Sequence, residues 1–255
     1  MKFSVVIPAH NEEKIIEKTI KSVIKELKGC NCEIIAVDDN SNDSTGRILD
    51  SLSKKYRNVK TVHKISRKVG PTGLGSSLTF GFKHAKGEIF VPFMGDLSDS
   101  PKDILKLVKK IEEGYDVVCG SRFLENSSIE GYPPVKMFVN RLWNNVFGFL
   151  FGLEIKDISN AFKAYRRSVV KAVKPKSKGF DITAEIAFKA YILGFRIVEV
   201  PVSWDGRRKG ESKFGSFSPI FVLTKLPKIG YQYGMLALKL WFRFLFQRVT
   251  RFFKS

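Results

Sequence analysis

The chain has 255 residues, of which 44% are hydrophobic and 27% charged. Those proportions exclude a disordered or collagen-like chain, and the length suits one large domain or one domain with an appendage. Lys and Arg outnumber Asp and Glu by 44 to 25, and a net charge of +19 points to an anionic partner: nucleic acid, membrane or a phosphorylated substrate.

Residues 3–8 form a short apolar run and predict a buried strand. The acids that follow Pro8 come too soon for the apolar core of a signal peptide. Apolar residues at 15, 16, 20, 23, 24 and 27 keep the helical period, so residues 12–27 predict a helix. A second buried strand spans 33–37 and runs into the polar segment Asp38-Asp39-Asn40-Ser41-Asn42-Asp43-Ser44-Thr45, which caps a helix over 45–56. Residues 59–62 predict a third strand. The glycine-rich stretch 70–75 then leads into a helix ending near 85, and residues 89–93 predict a fourth strand. A helix over 103–113, a strand over 116–119, an apolar aromatic stretch over 138–153, a helix over 182–193 and a strand over 197–200 complete the order.

Strands alternating with helices predict a doubly wound α/β sheet, whose ligands sit beyond the carboxyl ends of the strands. The polar segments after Val37 and Phe93 both lie at such ends and are expected to face one crevice. Cys30, Cys32 and Cys119 are too few, and too oddly spaced, for a disulfide framework or a zinc site; they read as reduced thiols.

Seven segments carry a family resemblance: VVIPAHNEE, AVDDNSNDSTG, AKGE, GDLSDSP, VVCGSRF, NAFKAYRR, and EVPVSW followed by RRKGESKFG. Each is weak alone. In this order across residues 3–215 they resemble the family 2 glycosyltransferases of the GT-A fold, and within them the dolichyl- or polyprenyl-phosphate mannose or glucose synthases. The resemblance implies a Rossmann-like, mixed but mainly parallel sheet flanked by helices. It implies a catalytic domain over 1–215 and a basic, membrane-associating segment of amphipathic interfacial helices over 216–255.

The resemblance also implies roles. Pro8, His10, Glu12, Val37 and Asp39 would hold the nucleotide, with Asp39 on the base. Each has a plainer reading: Glu12 and Glu13 suit the first turn of a helix, His10 a solvated loop, and the two Asp residues a turn or cap. The family's metal motif, Asp-x-Asp, falls on Met94-Gly95-Asp96. Asp96 matches the second acid, Met94 replaces the first, and Ser98 stands where many mannose synthases carry Gln. Gly95, Asp96 and Ser98 are thus expected at the donor diphosphate, with Asp96 and Ser98 as ligands of Mg²⁺ or Mn²⁺. Asp99 either assists them or caps the helix that Pro101 begins.

A lipid phosphate is already an anionic nucleophile, so catalysis needs positioning and electrostatics rather than a strong base. By resemblance Asp96, Arg122 and Arg207 are catalytic. Arg122, Lys136, Arg207 and Lys213 bind the acceptor phosphate, with Arg141 a weaker candidate and Asp157 either a support for the site or a plain ion-pair partner. The Gly73-Leu74-Gly75 stretch lacks the Lys-Ser/Thr of a P-loop and reads as a loop near the diphosphate or sugar, or as turn glycines.

Eleven of the basic residues lie from Arg207 onward, against one acid, Glu211. There Trp241, Phe242, Phe244, Phe246, Phe252 and Phe253 interleave with Lys239, Arg243, Arg248 and Arg251, the pattern of an interfacial helix; a core helix with snorkelling cations is the alternative. No run reaches the 20 or so apolar residues of a membrane span. The reading is therefore a peripheral, metal-assisted, inverting hexosyltransferase at the cytoplasmic membrane face, using GDP-mannose or UDP-glucose and no nucleic acid. Rivals are transfer to a glycolipid or polysaccharide hydroxyl, a nucleic-acid-binding protein, and a membrane-bound scaffold inactivated at Met94.

Overall fold

The computed structural model describes residues 2–64 and 73–206, together with 231, 234, 235, 238 and 240–242; for Lys136 only the backbone is described. Seven strands form one sheet in the order β3-β2-β1-β4-β7-β5-β8. They are β1 (Phe3–Ala9), β2 (Cys32–Asp38), β3 (Val59–His63), β4 (Ile89–Pro92), β5 (Val117–Ser121), β7 (Lys163–Arg166) and β8 (Ile197–Pro201). All neighbours pair in parallel except β7, which runs antiparallel to both β4 and β5. A small parallel pair, β6 (Ser128–Glu130) with β9 (Ser203–Asp205), lies beyond the main sheet.

The helices cover both faces, which is why β1 is buried along its whole length. Helices α1 (Ile16–Glu26), α2 (Thr45–Lys55) and α4 (Ile104–Glu112) pack on one face against Val5, Ile7, Ile34, Ala36 and Val91. Helices α3 (Leu74–His84), α6 (Arg167–Val173) and α7 (Ile182–Ile192) pack on the other against Val6, Ile35, Val37, Phe90 and Tyr165. Alternate residues of one strand thus serve opposite layers, the period-two rule of a strand. The long helix α5 (Pro134–Phe151) lies outside α7, joined to it through Phe147, Phe151 and Phe188.

The expected mainly parallel architecture is present, with two corrections. The segment NAFKAYRR supplies a central strand, β7, and α6 directly after it, where no element was predicted. The first helix starts at Ile16 rather than at residue 12, so Glu12 and Glu13 are not in its first turn. Glu13 instead accepts a hydrogen bond from Ser44 N (2.9 Å), just ahead of α2. The apolar stretch near 138–153 is the body of α5.

Each described position of the C-terminal segment is helical. Leu240 is buried and Trp241 packs on the α5–α7 cluster, while Tyr231, Met235, Leu238 and Phe242 are exposed at helical spacing. Val135, Phe138, Leu142, Val146 and Phe149 form a second exposed apolar row along α5, with Phe149 90% exposed. Among the described residues no helix is long and apolar enough to cross a membrane.

Candidate active site

The loops that end β1 and β2 are zipped together. Asp39 N donates to Ala9 O (2.8 Å), His10 Nδ1 donates to Asp39 O (2.8 Å), Asn11 N donates to Ser41 Oγ (3.1 Å) and Glu12 N donates to Thr45 Oγ1 (2.8 Å). Pro8, His10, Glu12, Val37 and Asp39 are therefore neighbours at the carboxyl ends of two adjacent strands. His10 is tied to the second strand's loop rather than merely solvated. Asp39 is buried; its Oδ1 accepts from Lys64 Nζ (2.7 Å) and its Oδ2 from Gly73 N (2.8 Å). Lys64, the first residue after β3, carried no signal in the sequence, because its closeness to Asp39 arises only from strand pairing.

Asp38 turns the other way. Its Oδ1 accepts from Ser41 N (3.1 Å), and its Oδ2 lies 3.0 Å from His63 Nδ1. His63 Nε2 lies 2.9 Å from Asp50 Oδ1 on α2. Only an imidazolium can donate from both nitrogens. Partial burial pulls the His63 pKa down, but the hydrogen bonds to Asp38 and Asp50 outweigh it, and the net shift is upward from 6.5. A raised folded-state pKa means stabilisation that is complete below 6.5 and fades as pH rises through the folded value. Melting temperature is therefore expected to fall over that window in the native chain and to fall less in His63→Gln. Equal pH slopes in thermal melts of the two proteins would remove the imidazolium bridge.

The glycine-rich stretch is explained by packing. Gly73 has φ +144°, and a Cβ there would lie 2.6 Å from Lys178 O; a Cβ on Gly75 would lie 2.8 Å from Lys178 C. Ser76 N, at the α3 start, donates to Lys178 O (3.2 Å). The backbone at 177–179 thus packs against both glycines.

After β4 the chain presents Met94, Gly95 and Asp96. Met94 is half-buried and packs against the apolar cluster around α3 and α7. A Cβ on Gly95 would lie 2.9 Å from Pro8 O, which fixes the close approach of this loop to the end of β1. Asp96 Oδ1 accepts from Ser98 N (3.1 Å) and Ser98 Oγ (2.8 Å), so the Ser98 hydroxyl orients the carboxylate. Asp99 is buried, and its Oδ1 has no hydrogen-bond partner among the described residues. Burial first, and the Asp96 charge next, push the Asp99 carboxyl up to about 7. Among the described residues no group of three acidic, His or Cys side chains gathers to hold a metal. The available donors are two carboxylates and a hydroxyl, all hard oxygen.

Arg122 follows β5. It is buried, donating to Asp157 from its backbone N (3.0 Å), Nε (2.7 Å) and Nη2 (2.9 Å), and to Tyr132 Oη from Nη1 (3.2 Å). Burial lowers the arginine's affinity for its proton, but Asp157 more than reverses this. The Arg122 charge in turn tempers the rise at Asp99. Hydrogen bonds from Asp205 N to Ser98 O (2.9 Å) and from Ser203 N to Asp103 Oδ2 (2.7 Å) stitch β9 to the Asp96–Asp103 loop. Trp204 stacks edge-on against Tyr132 at 4.8 Å. Three motifs far apart in sequence thus meet around Arg122.

Helix α5 closes the cluster. Asn140 donates to Tyr132 Oη, Asn144 Oδ1 accepts from Ser159 N (3.2 Å), and the exposed Arg141 guanidinium stacks 5.3 Å above the Phe123 ring. Tyr132 and Asn144 escaped the sequence reading, as nothing in their spacing linked them to Arg122. The expectations for the Lys136 side chain, Arg207 and Lys213 lie outside the described residues.

Comparisons with known proteins address the family and the fold. A dolichol-phosphate mannosyltransferase of Pyrococcus furiosus is 35% identical over 215 residues, 84% of this chain and 59% of that protein, so the chain spans less than two thirds of that relative's length. A polyprenol monophosphomannose synthase of Mycolicibacterium smegmatis is 29% identical over 216 residues, 82% of this chain and 79% of that protein. In fold the chain is similar to a glucosyl-3-phosphoglycerate synthase of Mycobacterium tuberculosis solved with Mn²⁺, UDP and glucosyl-3-phosphoglycerate. The TM-score is 0.71 at 21% identity, covering 94% of this chain and 79% of that one. The model of the family described as glycosyl transferase family 2 matches residues 4–174, two thirds of the sequence, and the chain belongs to that family.

Proposed function

We propose that the chain transfers a hexose, mannose or glucose, from GDP-mannose or UDP-glucose to dolichyl or polyprenyl phosphate, inverting the anomeric centre with the help of Mg²⁺ or Mn²⁺. One observation carries this reading: the half-buried Asp96 and the buried Asp99 sit on the loop after β4, which Trp204 and Tyr132 link to a buried guanidinium, Arg122, after β5. That is the charge pattern for two phosphates meeting, a departing diphosphate on one side and an attacking lipid phosphate on the other. The names of the relatives support a lipid-phosphate acceptor.

Pro8, His10, Glu12, Val37 and Asp39 would bind the nucleotide, with the Asp39 carboxylate on the base. Gly95 lets the loop pass close to β1, while Asp96 and Ser98 face the diphosphate. The oxygen donors there, including the unpartnered Asp99 Oδ1, fit a hard divalent cation that keeps several waters and phosphate oxygens in its shell. Such a cation supplies charge neutralisation on the leaving diphosphate. Arg122 would hold the acceptor phosphate in line with the sugar, joined by Lys136, Arg207 and Lys213, and by Arg141 at the cluster's exposed edge. No general base is required, because the phosphate oxygen attacks as an anion.

Residues 1–215 would be the catalytic domain and 216–255 a membrane-associating segment on the cytoplasmic face. The exposed apolar rows of α5 and of the C-terminal segment would meet an anionic surface, where each Lys or Arg adds roughly 1 kcal/mol. The test is incubation with radiolabelled GDP-mannose or UDP-glucose, Mg²⁺ or Mn²⁺, and polyprenyl phosphate in anionic vesicles. Chloroform-soluble label is expected from one donor. No such product from either donor overturns the proposal.

A further inference from the structure

The Asp157–Arg122 pair sits on a loop that is itself held by two charged groups with no role in the proposed reaction. Glu199, the lone acid in β8, accepts from Lys156 N through Oε2 and from Asp157 N through Oε1, both at 2.8 Å. Lys163, in β7 and with its side chain fully buried, donates from Nζ to Ile158 O (2.9 Å) and to Asn160 O. A carboxylate thus takes the first two N–H groups of the 156–160 loop, and an ammonium takes two of its carbonyls. Asn160 Nδ2 adds a bond to Gly120 O (2.9 Å), beside Arg122 on the next turn of chain.

We propose that Glu199 and Lys163 are positioning residues that clamp this loop from two sides, so that Asp157 holds Arg122 in aim when an acceptor phosphate draws the guanidinium toward itself. The inference rests on the proposed reaction for its ligand, a lipid phosphate. Its physical basis is competition. A guanidinium shared between Asp157 and an incoming phosphate is pulled by both anions, and the loop follows unless something stiffer holds it. Charge-assisted hydrogen bonds are shorter and stronger than neutral ones, and they are costly to strain in a low-dielectric interior. Burial pushes the Glu199 carboxyl up and lowers the Lys163 pKa, so both charges carry a desolvation cost that neutral residues would avoid. A loop that needed only to be folded could be held by neutral partners.

The experiment compares the full chain with Glu199→Gln and Lys163→Met. It measures amide hydrogen exchange, binding of a short polyprenyl phosphate without donor, and the KM for donor and acceptor. In Glu199→Gln the amides of Lys156 and Asp157 are expected to exchange faster. Lipid-phosphate affinity is expected to fall roughly tenfold, the scale seen when a ligand's hydrogen-bonded support is removed. The acceptor KM should rise in step, while the donor KM stays within about twofold, a split that general destabilisation does not produce. Lys163→Arg should recover most of the affinity that Lys163→Met loses, and it keeps the test valid should the Met variant fold poorly. Unchanged lipid-phosphate binding in Glu199→Gln, or equal rises in both KM values, overturns the clamp. A native chain that binds the lipid phosphate but transfers no sugar overturns the reaction and leaves the clamp standing on its binding readout.

Discussion

Replacing Asp96 by Asn is expected to lower sugar transfer by roughly 10²- to 10³-fold, the usual cost of removing one electrostatic contact to a transition state. The substitution is nearly isosteric. An amide oxygen can still accept the bonds from Ser98 N and Ser98 Oγ, so the turn after β4 keeps its shape and only the charge is lost. Met94 packs against the core and offers no oxygen, so nothing at position 94 replaces that charge. Steady-state transfer measured across a Mn²⁺ titration checks this. The variant should require more metal and remain slower at saturation. Full activity at the native metal requirement would falsify the role given to Asp96.

The second large effect concerns stability. Asp157→Ala is expected to cost about 3–5 kcal/mol, because it strands a buried guanidinium without its counter-ion. The carboxylate accepts three hydrogen bonds from Arg122 alone, and Asp157 is fully buried. The double variant Arg122→Met, Asp157→Leu should regain most of the loss, since apolar residues of similar volume commonly replace a buried pair with little penalty. It should still fail to transfer sugar. Urea unfolding of the three proteins decides the matter; a single variant within about 1 kcal/mol of the native chain would show that the pair is not buried in solution.

The same pair sets an acid limb. Burial by itself would raise the Asp157 carboxyl, but Arg122 outweighs it and holds the carboxyl below its ordinary 3.8. A depressed folded-state pKa gives stability that is present above 3.8 and lost as pH falls through the folded value. Stability of Asp157→Ala should therefore fall less steeply than that of the native chain below pH 3.8.

Much of the architecture was readable from residue order. Strands β1, β2 and β4 are nearly continuous apolar runs, because both faces of each are covered, and such runs need no partner to be recognised. Helices α1 and α4 declare themselves through an apolar stripe at helical spacing. The acids at the end of β2 and the Gly-Asp pair after β4 were legible as candidates, because polar residues closing a buried strand fall at the ligand end of such a sheet.

Other features were decided only by the tertiary structure. Strand β7 is four residues long and begins with a fully buried Lys163, which no strand pattern favours; its place in the sheet depends on pairing with both β4 and β5. The glycines at 73 and 75 read as a loop near the diphosphate or sugar, or as turn glycines; only the fold shows the backbone at 177–179 packed against them. Glu199 is one acid in an apolar strand, and its partners lie more than forty positions earlier. The sequence by itself determined the layers and which polar residues close the strands, because those follow from local periodicity and from where strands end. The tertiary structure alone decided which charges face each other. Ion pairs such as Lys64–Asp39 and Arg122–Asp157 are set by strand register and loop path, and neither leaves a trace in the spacing of the chain.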